Sequence, residues 1–61
     1  MATDPAALGA RAARFRDKAG ELHRHARGLS DRTMLDAYTA LIAEYDALAI
    51  ELERMAADVT A

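Results

Sequence analysis

Ala26-Arg27-Gly28-Leu29-Ser30-Asp31 separates two long runs of helix-forming residues, and the fold turns on how this stretch is read. Gly28 suits the left-handed residue that ends a helix. Ser30 suits the N-cap of a second helix. Leu29, just before that cap, is spaced to pack on Met34 as a hydrophobic staple. Residues 28–30 thus stop one helix and start the next, and so short a link forces the two to run antiparallel.

Upstream of the turn, Asp4 and Pro5 are placed to cap and open a first helix, which the spacing carries over about residues 5–27. Leu8, Phe15 and Leu22 recur every seven residues, as do Ala12, Ala19 and Ala26 between them. The alternating four- and three-residue steps are a heptad seam. Downstream, a second helix spans about residues 31–59 with no Gly or Pro inside it. Three heptad rows run along it: Leu35, Ile42, Ala49 and Ala56; Tyr38, Tyr45, Leu52 and Val59; Met34, Leu41, Leu48 and Met55. Together they predict a wide core face. Folding back at residues 28–30 sets Leu22 near Tyr38, Phe15 near Tyr45 and Leu8 near Leu52, with Arg16 placed to pair with Glu44. The expected fold is all-α: a two-helix antiparallel hairpin, coiled-coil-like.

Composition narrows the class. The chain has 61 residues, enough for one small domain and near the lower limit for independent folding. Alanine occurs 16 times, and there is no β-branched run or Asn-Gly turn to suggest a strand. No apolar run is long enough for a membrane span. The stretch Met1-Ala2-Thr3-Asp4-Pro5 lacks the basic and apolar regions of a signal peptide, so a cytoplasmic location is expected. Without cysteine, neither a disulfide nor a thiolate metal site can form. His23 and His25 are two apart and point to different sides of a helix, so they do not form a ligand pair. No Glu-x-x-His motif, nucleophile–base pair or phosphate loop occurs, and the expectation is a non-enzyme with no cofactor and no metal. Tyr38 and Tyr45 fit core positions with their hydroxyls reaching water.

Charge is unevenly divided. Residues 1–29 hold six Lys/Arg and three Asp/Glu; residues 30–61 hold two and seven. A basic helix beside an acidic one favours the hairpin over parallel pairing of identical helices. Arg11, Arg14, Lys18, Arg24 and Arg27 give the first helix a basic face. The net charge of −2 and the absence of an aromatic-interleaved basic patch argue against nucleic acid as the main partner.

Two helices alone leave each other's flanks wet, and a chain this small without disulfides or a metal is expected to associate. Ala40, Ala43, Ala47, Ile50 and Ala57 lie on the back of the second helix. Ala43, Ala47 and Ile50, with Leu52, Met55 and Val59, are the interface candidates. The partner expected is a second copy, as a homodimeric four-helix bundle, or another protein. The function expected is protein–protein interaction or assembly through self-association. The alternatives are a regulatory adaptor docking on a larger protein and a nucleic-acid-associated accessory protein using the basic face.

Arg16-Asp17-Lys18-Ala19-Gly20-Glu21-Leu22, then Ala26, Arg32, Leu41 and Tyr45-Asp46-x-Leu48-Ala49, resemble a pattern in short uncharacterised α-proteobacterial proteins. That pattern reads Arg-x-x-Ala-x-Glu-Leu-Arg, a short turn, then Leu-Leu-x-x-Ala-x-x-Tyr-Asp-x-Leu-Ala. The resemblance covers residues 14 to 53. Here His23 stands where the pattern has Arg, and the turn lacks its Asp-Pro. The resemblance implies a helical hairpin from a bacterium and carries no activity, so no functional residues transfer.

Overall fold

The computed structural model describes residues 4–60. Met1-Ala2-Thr3, which open the stretch read as lacking signal-peptide features, and Ala61 lie outside the described residues. Two helices, α1 (Pro5–Ala26) and α2 (Arg32–Thr60), pack against each other, and no strand occurs among the described residues. The pair is 45 Å long and 18 by 14 Å in section.

The start of α1 follows from its first residues. Asp4 is extended, at φ −85° and ψ 117°, and its Oδ1 accepts the Ala6 amide at 3.0 Å. Pro5 fills the first helical position, where an amide would have no helical acceptor.

The link departs from the sequence expectation in three ways. Gly28 is not left-handed, because no described residue has positive φ. Instead α1 ends in a tightened turn: the Gly28 amide donates to His25 O and the Leu29 amide to Ala26 O, both at 3.1 Å. The link runs over residues 27–31, long enough to reverse direction without a left-handed residue. Second, Asp31 rather than Ser30 caps α2. Asp31 Oδ1 accepts the Thr33 amide at 2.9 Å, and its carbonyl accepts the Leu35 amide at 2.9 Å. A carboxylate at this end also faces the positive pole of the helix dipole, which a hydroxyl answers less strongly. Third, with Asp31 as the cap, Ser30 and not Leu29 occupies the preceding position, so the staple from Leu29 to Met34 loses its basis.

The seam between the helices is narrower than three heptad rows. Ala12 and Ala19 of α1 and Ala49 of α2 are buried together with Leu8. Phe15, Leu22 and Ala26 on one side, and Leu35, Tyr38, Ile42, Tyr45, Leu52 and Ala56 on the other, are half-buried around them. The Phe15 and Tyr45 rings meet with centroids 5.8 Å apart and planes inclined by 32°, which fixes the register as expected. The third row is a correction: Met34, Leu41, Leu48 and Met55 are not core but are 41–47% exposed. A single neighbouring helix covers only part of a helix's circumference, and α1 takes the rows containing Ala49 and Tyr45. Val59, although in the second row, is 48% exposed because it lies beyond the level of the first turn of α1.

The capping geometry predicts that Asp31→Ala lowers stability by about 1 kcal/mol while Ser30→Ala is nearly neutral. Denaturant titration at one fixed protein concentration distinguishes them; equal effects would return the cap to Ser30. Beyond its chain neighbours and its own helix backbone, Gly9 has no atom within 4 Å of where a Cβ would stand. Gly9→Ala should therefore add about 1 kcal/mol, by helix propensity alone.

Candidate protein-binding surface

A row of side chains seven residues apart on a helix drifts only slowly around its axis, so it forms a continuous stripe. On α2 such a row is Met34, Leu41, Leu48 and Met55, with Val59 extending it at a four-residue step. The row stands on one flank of the hairpin and is continuous at its inner edge with half-buried Tyr38, Tyr45 and Leu52. Midway along, Leu48 and Leu52 line a shallow cleft of about 320 Å³ with Phe15, Arg11 and Arg14 of α1. Phe15 thus does two things: it sets the register against Tyr45 and forms the aromatic part of this cleft.

Charge borders the stripe on both sides with opposite sign. Arg11 and Arg14 stand on the α1 side. Along the outer edge of α2 run Glu44, Glu51 and Asp58, again seven apart. Glu51 bonds Arg54 at 3.3 Å, and Lys18 bonds Glu21 at 3.3 Å. Arg11, Arg14, Glu44 and Asp58 make no ion pair among the described residues.

The opposite flank is polar. Arg24, Arg27 and His23 of α1 border a second, open cleft of about 540 Å³, with Asp46 and Ile42 across from them. Arg16 anchors this flank through a two-pronged bond to Glu53, Nε to Oε2 at 2.9 Å and Nη2 to Oε1 at 2.7 Å. The Glu44 pairing expected for Arg16 is not formed. Glu44 and Glu53 are nine residues apart and so point to opposite sides of α2, about 180° from each other.

The hydrogen bond to Glu53, then its charge, raises the Arg16 guanidinium pKa, with the Asp46 charge adding to it. The same hydrogen bond, then the Arg16 charge, outweighs desolvation and holds the Glu53 carboxyl below its ordinary range. Both side chains are about half exposed, so solvent screens the pair. Among the described residues, no group of three His, Cys, Asp or Glu is placed to hold a metal ion, and no helix is long and apolar enough to cross a membrane.

The residues expected to form the interface do not share one patch. Ala43, Ala47 and Ile50 are exposed, with Ile50 at 47%, on the side of α2 away from the stripe. Met55 and Val59 belong to the stripe itself, and Leu52 is half-buried at its inner edge. Ile50 and Met55 are five residues apart, about 140° around the helix. The basic face also divides: Arg11 and Arg14 border the apolar cleft, Arg24 and Arg27 the polar one. Met34, Leu41 and Leu48 of the stripe are not among the interface candidates. The signal of the stripe was the width of three adjacent heptad rows, more than one neighbouring helix can cover.

Compared with protein-family models, curated proteins and solved structures, the chain matches none of them.

The Arg16–Glu53 pair has a pH signature. Because the folded-state pKa of Glu53 is lowered, its contribution to stability is full above the ordinary Glu value of about 4.3 and is lost as pH falls through the lowered one. A carboxyl-detected NMR titration should place Glu53 below the ordinary Glu range, and Arg16→Gln should move it back up. An ordinary value in the unsubstituted chain would show that the pair does not persist in solution.

Proposed function

We propose that this chain is a non-catalytic assembly module that associates with itself through α2, two hairpins making a four-helix bundle. One observation carries the reading: four large apolar side chains in an unbroken heptad row, each close to half exposed, on a hairpin whose buried residues, among those described, are three alanines and one leucine. Alanine burial removes little apolar surface from water, so the hairpin gains modestly from its own seam. A second helical layer over the row would bury the largest apolar surface the chain still exposes.

The adaptor alternative uses the same row and replaces the second copy with a larger protein. The nucleic-acid alternative draws less support, because the arginines that would carry it are spread over two flanks and one flank is bordered by the acidic edge of α2.

Sedimentation equilibrium over a wide range of protein concentration tests the proposal. The chain should pass from monomer to dimer, and Leu48→Glu should weaken the dimer at least tenfold, about 1.4 kcal/mol. Leu48 is exposed in the single hairpin, so the substitution acts on association rather than on the seam between α1 and α2. A helical monomer at every concentration would remove self-association and leave the adaptor reading standing.

A further inference from the structure

Resting on that reading, we infer that the contact between copies is the Met34–Leu41–Leu48–Met55 flank, with the two α2 helices side by side and parallel, each copy's basic α1 edge covering the acidic α2 edge of the other. The flank is set by exposure. It holds Met34, Leu41, Leu48, Met55 and Val59, whereas the other side of α2 offers Ile50 as its one large exposed apolar residue. Size is sufficient: a face 45 Å long and 18 Å across can provide the roughly 800 Å² per partner typical of a specific interface.

The orientation follows from charge. Two copies burying the same stripe face to face are related by a two-fold axis lying in the contact plane. That axis runs either across the helices or along them. Run across, it makes α2 antiparallel to its counterpart and lays basic α1 over basic α1, with the acidic edges also facing each other. Run along, it makes the α2 helices parallel and carries each basic edge onto an acidic one. Like charges in juxtaposition disfavour the first arrangement, and opposite charges favour the second.

The heights agree as well. Arg11 and Arg14 line the same cleft as Leu48 and Leu52, which sets their heights along α2. An axis along the helices leaves these heights unchanged. Arg11 and Arg14 then stand beside the stretch from Leu48 to Leu52 of the other copy, which carries Glu51 of the partner subunit, with Glu44 of the partner subunit about one turn away. Arg11, Arg14 and Glu44 are among the charges that make no ion pair among the described residues, while Glu51 bonds Arg54 of its own helix. Like residues meet along the stripe, so Leu48 packs against Leu48 of the partner subunit in the manner of a parallel heptad seam.

The chain has no cysteine, so single cysteines report the contact by disulfide formation. The full chain is tested as Met34→Cys, Met55→Cys, Val59→Cys and Ile50→Cys, oxidised at a concentration where sedimentation shows the dimer. The parallel arrangement predicts that Met34→Cys and Met55→Cys each link to their own kind as the main product. It also predicts that mixed Met34→Cys and Val59→Cys chains give few cross-links between unlike positions. A dominant link between positions 34 and 59, with neither self-link, would overturn the orientation while leaving self-association intact. A dimer that links through Ile50→Cys alone, or through none of the four, would place the contact elsewhere and overturn the inference without touching self-association. A chain that is monomeric throughout overturns both.

Discussion

The structure depends on small side chains buried between the two helices. Ala12 and Ala19 of α1 and Ala49 of α2 are the described residues the two helices bury most completely, with Leu8 next. Small side chains at the line of contact let two helices approach closely and pack well, but each removes little apolar area from water. The bulky residues are therefore displaced to either side of the line. Phe15 and Tyr45 close over one edge and fix the register, while the Arg16–Glu53 pair spans the other. What remains, the row from Met34 to Met55, has no place in the seam and is left on the surface. A narrow core and a wide apolar helix are two consequences of the same choice of residues.

That trade explains which parts of the fold could be read from sequence. Heptad spacing located both helices, and the break read at residues 28–30 gave the reversal, because the helical period and the helix-stopping residues act locally. The Phe15–Tyr45 pairing was legible because antiparallel geometry and a known turn leave few registers open. The details of the turn were less so. Ser30 and Asp31 are both good caps, and the choice between them depends on where the chain finishes turning. Gly28 suggested a left-handed residue, yet a five-residue link needs none.

The interface candidates fall on two sides of α2 for a physical reason. Hydrophobic periodicity states which residues prefer burial, and says nothing about whether the neighbour that buries them is in the same chain. Three adjacent heptad rows were assigned to one seam when one helix could cover only two. The pairing of Arg16 departs similarly: Glu44 and Glu53 lie on opposite sides of α2, and the rotation of α2 about its axis turns Glu53 toward α1. That rotation is set by Ala49, whose role as the most buried residue of α2 is not marked by size or polarity. The division of charge between the helices was legible throughout, and the rotation turns it into two oppositely charged borders of one stripe.

The central claim is that the exposed row on α2 is stabilised by contact with another copy, so that folding and association are coupled. Melting the chain, followed by circular dichroism at concentrations spanning several orders of magnitude, tests this directly, since mass action raises the melting temperature of an associating fold with concentration. The account predicts a melting temperature that climbs steadily as the chain is concentrated. A cooperative melt at one temperature throughout would contradict it.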